Sequence, residues 1–221
     1  MTERFVPTAR TRPNRLRERV QDDVAGVHAV LDAGPVCHVG FTGPDGPTVL
    51  PTLHVRIGDQ IYLHASTGSW LRRLEGQQIC LTVTCVDGLV LARSTFHHSM
   101  NYRCAMVFGA LRTVTDEREK LAALDALVER LSPGRSREAR GPNPRELVAT
   151  AVVALRIHEA TAKVRTGGPK DDEEDMGLDV WAGVIPVRTV LGEPEPDGVP
   201  PRPLPAGALT PGWTSSGSEI R

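Results

Sequence analysis

Aromatic residues are scarce: Phe, Trp and Tyr together make up 4% of the 221 residues. A core without them must come from Val, Leu, Ile and Ala, and a 40% hydrophobic content suffices for one. Cysteine is sparse as well. Cys37, Cys80, Cys85 and Cys104 stand singly, mostly inside apolar runs, and no C-x-x-C pair exists. That spacing argues against a zinc ribbon and reads as buried thiols in a reducing, cytoplasmic setting. No apolar run approaches the ~20 residues of a membrane-spanning helix, and the N-terminus has no apolar signal core, so no membrane partner is expected. The 26 basic and 27 acidic residues leave a formal charge of −1, with no general pull towards nucleic acid. Neither G-x-G-x-x-G nor G-x-x-x-x-G-K-[ST] occurs, so the two common glycine-rich phosphate loops are absent.

The most informative stretch runs from Ile61 to Leu74. Ile61 and Leu63 alternate with Tyr62 and His64, as in a strand. Ser66, Thr67 and Ser69 are helix-capping types, Gly68 lets backbone approach a ligand, and Leu71 and Leu74 mark one face of a short helix. Backbone N–H groups, hydroxyls and the guanidinium groups of Arg72 and Arg73 together suit a phosphate. On spacing alone the same residues also make an ordinary strand-turn-helix corner with a surface arginine pair.

Around this stretch the chain divides into three. Residues 1–21 form an Arg-rich arm with few acids, expected to be solvated; the sharper alternative lays it across a partner subunit or an anionic ligand. Residues 22–190 hold the ordered domain. A helix capped by Asp22 or Asp23 runs to about Asp32, and strands are expected at Val36–Phe41, Thr48–Ile57, Ile61–His64, Ile79–Cys85, Leu89–Ala92 and Cys104–Val114. Asp116 with Glu119 fits a capping box opening a helix. A short helix follows Asn143-Pro144, and an apolar strand from Thr150 to Ile157 continues towards Val164. Residues 191–221 carry seven prolines and are expected to be extended or disordered. Strands joined mostly by turns point to a mainly antiparallel, mainly β fold with peripheral helices, a barrel rather than a doubly wound sheet.

Seven histidines are candidates for chemistry. His28, His38, His54 and His158 read as structural. His97 and His98 are adjacent, so they point to opposite faces of an extended chain and do not share one metal. His64 stands out, because hydroxyls, a glycine and two arginines follow at once; an imidazole there can polarise or protonate a molecule held by the cradle. The acidic run Asp171–Asp175 lacks the spacing of a calcium loop and reads as solvated or paired with a basic arm.

The segments Ile61–Leu74 and Ser94–Cys104, the Phe108-Gly109 strand, the Lys163–Pro169 turn and the Trp181–Pro186 end together resemble the pyridoxamine 5′-phosphate oxidase-like flavin-binding proteins, nearest the nitroimidazole-resistance (Nim-type) reductase branch. The resemblance implies an FMN-binding split β-barrel, a homodimer with sites at the subunit interface, and a small-molecule substrate. It also implies a cofactor site of His64, Ala65, Ser66, Thr67, Ser69, Arg72, Arg73, Tyr102 and Arg103, with His64 catalytic, and reduction of a small electron-poor substrate, nitro or quinone-like. Three departures stand out: Trp70 in place of Arg or Lys, Cys104 in place of Ser, and His54 in place of an aromatic near the pocket. Haem, held by His64, His97 or His98, is the alternative cofactor. A non-redox binder of a phosphorylated small molecule is the third reading.

Overall fold

The computed structural model describes residues 3–13, 15–198, 204, 207, 208 and 211–213. In chain order the elements are β1 (Val20–Gln21), α1 (Val24–Ala33), β2 (Val36–Gly43), β3 (Gly46–Ile57), β4 (Gln60–Ser66), α2 (Trp70–Arg73) and β5 (Gln78–Leu91). Then come β6 (Ser99–Thr113), α3 (Glu117–Leu131), α4 (Arg135–Glu138), α5 (Pro144–Ala149), β7 (Thr150–Arg156), β8 (Glu159–Arg165) and β9 (Gly183–Pro186). All pairings between these strands are antiparallel. The turn between β3 and β4 passes through Gly58 at φ 60°, a conformation that a Cβ disfavours.

The strand order closes on itself through β5-β6-β7-β4-β3-β2, giving a six-stranded barrel. β6 is the long member. One edge meets β5 from Ser99 to Ala110; the other is shared, first by β8 (Tyr102–Phe108) and then by β7 (Leu111–Thr113). Between β7 and β8 the register along β6 slips by one residue at Ile157-His158, so the strand expected to run on from Thr150 towards Val164 is one path with a bulge. β7 leaves towards β4 while β8 stays with β6 and β1, and this divergence splits the barrel.

Aliphatic residues fill the interior as the composition requires. Val39, Ile61, Leu63, Leu81, Val83, Val107 and Leu155 are fully or almost fully buried, and α1 closes the assembly with Val27, Val30 and Leu31. The other face of β3, β4 and β7 carries a second cluster, in which Val55, Tyr62, Val152 and Ala154 pack under Ala123 and Leu127 of α3. Asp116 caps α3 by accepting from the Glu119 amide at 2.8 Å. The expected reciprocal bond is missing, because Glu119 accepts instead from Tyr62 (2.8 Å) and Arg112 (2.6 Å). Burial and that carboxylate push the Tyr62 hydroxyl up to about 12. A reciprocal capping box forms at Asn143–Glu146 of α5.

Three expectations need correction. The N-terminal arm is not simply solvated: Phe5 packs against the interior cluster, Thr11 is buried, and Thr8 and Arg10 both donate to Glu159 of β8. The acidic run is partly buried, since the Asp171 side chain accepts from the Arg93 amide (2.8 Å) and guanidinium (2.9 Å). The described part of the C-terminal tail is docked on α3: Trp213 Nε1 donates to the Arg130 carbonyl at 2.8 Å and Ser132 to the Ala208 carbonyl at 3.2 Å. Those carbonyls and hydroxyls at a helix end have no intrahelical partner, which explains the attachment. The rest of the proline-rich tail lies outside the described residues.

His54 is fully buried on β3, with Nε2 donating to the Leu31 carbonyl at 2.9 Å and Nδ1 without a partner. It closes the end of α1 and does not reach the cavities described below, contrary to the expectation that it lies near the pocket. Burial, reinforced by the Arg130 charge, pushes its pKa down to about 4. The unfolded imidazole takes up its proton near 6.5, so stability held by neutral His54 is complete above that pH and is lost as pH falls towards 4. We expect this group to cost roughly 2 kcal/mol of stability between pH 7 and pH 5. Urea unfolding at both pH values checks it: His54→Phe, which keeps ring volume without a titrating nitrogen, should flatten the pH dependence.

Candidate functional site

β4 carries the central histidine. Ile61, Leu63 and Ala65 face the barrel interior, so Tyr62 and His64 face the opposite side, towards α3. His64 is exposed, and no hydrogen bond holds its ring among the described residues. It lines a largely apolar cavity of about 490 Å³, walled by Leu53, Leu124, Leu127, Val128 and Leu131 and closed by the Ala139–Pro142 segment. α3 supplies most of that wall, because its apolar stripe is wider than the strand face beneath it.

A second cavity of about 410 Å³ adjoins the corner after β4. Thr67 and Arg72 enter it from the corner, Thr113 from the end of β6, Lys120 from the first turns of α3, and Thr150 from the start of β7. Lys120 donates to the Leu147 carbonyl at 2.6 Å, which fixes the ammonium while leaving two of its N–H groups. No carboxylate pairs with Arg72 among the described residues. The Thr150 hydroxyl donates to the Glu146 carbonyl at 2.9 Å, so the hydroxyls of Thr67 and Thr113 and two cations form the donor set suited to a phosphate. Thr150 lines both cavities, so a charged compartment and an apolar one share a wall.

The structure gathers only part of the expected residue set at this corner. Of the expected cradle, Thr67 and Arg72 line the charged cavity. Ala65 packs against the interior, Ser69 is spent on capping α2 (Leu71 N to Oγ 3.3 Å), and Ser66 is exposed at the end of β4. Arg73 stacks over the Trp70 ring at 5.7 Å and does not line the cavity. Thr113, Lys120 and Thr150 went unread because they lie 41 or more positions from Arg72 in the sequence and meet it only through barrel closure. The one available local signal was Lys120, a cation near the start of a helix where acids are favoured.

The other expected site residues lie elsewhere on the same chain. Tyr102 and Arg103, being neighbours on β6, point to opposite faces: Arg103 makes a two-pronged pair with Asp87 (2.7 and 2.9 Å), while Tyr102 faces the N-terminal arm. His97 and His98 sit on a turn between β5 and β6. His97 Nε2 bonds Asp172 at 3.1 Å; His98 Nδ1 donates to the Ser94 carbonyl at 2.9 Å, leaving Nε2 without a protein partner. Phe96, beside them, is 88% exposed. Burial raises the Cys104 thiol, so the thiolate is disfavoured there.

Comparison with known proteins bears on this arrangement. A comparison with curated proteins gives no match. Among solved structures, the flavocytochrome Anf3 from Azotobacter vinelandii is 42% identical, over 93% of this chain and 97% of that one, with a TM-score of 0.87. An FAD- and haem-binding protein from Mycobacterium smegmatis is 35% identical, over 89% and 100%, with a TM-score of 0.83. A Bacteroides thetaiotaomicron protein proposed to act in 5-nitroimidazole antibiotic resistance is 24% identical over 66% and 86%, with a TM-score of 0.53, a likeness of fold alone. The family model described as pyridoxamine 5′-phosphate oxidase matches residues 23–164. That span opens on the residue capping α1 and ends in β8, taking in the whole barrel and both cavities' strands, and the chain belongs to the pyridoxamine 5′-phosphate oxidase family.

Proposed function

We propose that the chain is a flavin-binding oxidoreductase that reduces a small electron-poor acceptor, nitro or quinone-like, beside His64. The observation that carries this reading is the convergence of Thr67, Thr113, Thr150, Arg72 and Lys120 on one cavity that shares Thr150 with an apolar one. The charged cavity suits a flavin phosphate and the apolar one a flat ring. FMN is the smallest phosphorylated flavin these residues would hold; FAD is named for the Mycobacterium smegmatis relative, and a flavin of unstated kind is implied by the name of the flavocytochrome. The flavin would supply two-electron chemistry. The protein's part is to hold the phosphate through the hydroxyls and cations, to exclude water with the α3 wall, and to orient the acceptor through a His64 ring nitrogen, which can pass a proton to it. A homodimer with shared sites is supported by Tyr102, Arg103, His97 and His98, which lie away from these cavities on their own chain and would reach a site from a second copy.

A second cofactor is favoured by one observation. With Nδ1–H fixed on the Ser94 carbonyl, His98 holds the tautomer whose Nε2 lone pair is directed outward, the form in which histidine binds haem iron. His97 is engaged by Asp172. Both near-full-length relatives bear names that include haem or cytochrome. We therefore assign haem, where it is bound, to His98 ahead of His97 and His64.

Arg72→Ala with Lys120→Ala should weaken flavin retention by at least tenfold, the loss of two charge-assisted contacts, read by flavin absorbance after gel filtration. Full retention in that variant would remove the phosphate assignment. His64→Ala should keep flavin and lose most turnover with an electron-poor acceptor; unchanged turnover in the folded variant would remove its role. His98→Ala should abolish the Soret band of haem-reconstituted protein while His97→Ala keeps it, and the reverse result would exchange their roles.

A further inference from the structure

A third concavity lies on the far side of β6 and β8, away from both cavities above. Ala160 and Ala162 of β8 face the barrel interior, so Glu159, Thr161 and Lys163 face outward, beside Phe108, Met106 and Cys104 of β6. The N-terminal arm crosses this face and is fastened at both ends. At one end Arg10 bonds Glu159 and stacks over the Phe108 ring at 4.9 Å. At the other, Val20 and Gln21 pair with Lys163 and Ala162 as β1. Between the two attachments the arm arches over a space of about 340 Å³.

That space is positive and incompletely bonded. Arg12, Arg15, Arg19 and Lys163 line it, and among the described residues no carboxylate pairs with any of them. The nearby acid on β8, Glu159, is already taken by Arg10 and Thr8. Burial, with a smaller contribution from the Arg19 charge, lowers the pKa of the neighbouring Arg165. Thr161 is 3% exposed, lines the space, and has an Oγ1 with no hydrogen-bond partner. A buried hydroxyl without a partner is costly, and one beside four free cations is a donor waiting for an anionic oxygen. Tyr102 closes the same space with a ring against which a flat group can lie.

We propose that the space under the arm binds the diphosphate of a nucleotide-type ligand, with Arg12, Arg15, Arg19 and Lys163 on the phosphate oxygens and the Thr161 hydroxyl donating to one of them. Four cations exceed what a single phosphate needs, and the concave, roofed shape excludes an extended polyanion. The occupant is a dinucleotide separate from the flavin, because the diphosphate of FAD includes the phosphate already assigned to the Arg72 and Lys120 cavity, which shares no residue with this one.

The full chain, with FMN in place of any dinucleotide, is titrated calorimetrically with inorganic pyrophosphate at low ionic strength. One saturable event is expected, weaker in orthophosphate and weakened by added salt. Arg12→Ala with Arg15→Ala, both exposed and without structural bonds, should reduce affinity at least about tenfold, and Thr161→Val roughly fivefold with circular dichroism unchanged. Absence of saturable binding, equal binding of orthophosphate, or unchanged affinity in the double variant would each overturn the proposal. Displacement of pyrophosphate by NADH while FMN stays bound supports the separate dinucleotide; no displacement by NADH, or displacement by FAD only with release of the bound FMN, overturns it. A chain that binds pyrophosphate but no flavin keeps this site and removes only the flavin reading.

Discussion

The backbone ladder along β6 is the constraint on which the rest depends. Its one edge is filled by β5, and its other edge is divided between β8 and β7. Hydrogen bonds to β7 over only three residue pairs, Leu111 to Thr113, close the barrel directly at that seam. Close packing enforces the arrangement at Gly109, where a Cβ would stand 2.9 Å from Leu155 Cδ1 and 3.2 Å from His158 Cε1. A side chain there would have to displace the Leu155 and His158 side chains that flank the bulge between β7 and β8. Both polar cavities follow from that one ladder: β7 carries Thr150 to the corner after β4, and β8 carries Thr161 beneath the arm.

A second tie joins elements remote in sequence. The Leu31 carbonyl at the end of α1 accepts from His54 of β3 and from Arg130 of α3, and Arg130 also reaches the Gly34 carbonyl. The Arg130 carbonyl in turn receives the Trp213 indole. One arginine thus links the helix that closes the barrel, the outer helix and the C-terminal tail. Its charge also explains much of why His54 stays neutral, beyond burial itself.

Much of the fold was legible because its signals are local. The period-two runs gave β2 to β6, and the capping residues Asp23 and Asp116 marked α1 and α3. The turn at Gly58 and the stop after α1 were equally plain. What the chain order concealed was partnership. Glu119 looked like one half of a capping box and is used by Tyr62 and Arg112, because the helix must be fastened to the strands it covers. The arm looked solvated because its arginines are exposed residue types, yet Thr8, Thr11 and Phe5 between them anchor it. Of the residues lining the charged cavity, local chemistry pointed to Thr67 and Arg72. Thr113, Lys120 and Thr150 join them through three-dimensional closure, to which no short motif corresponds.

The wall at Thr150 has a geometric consequence. A molecule with one charged end and one flat apolar end can span the two compartments in a single polarity, since reversing it would set charge against Leu124 and Leu127 and an apolar ring against Arg72 and Lys120. The orientation of any such two-ended molecule is therefore set by the placement of one threonine.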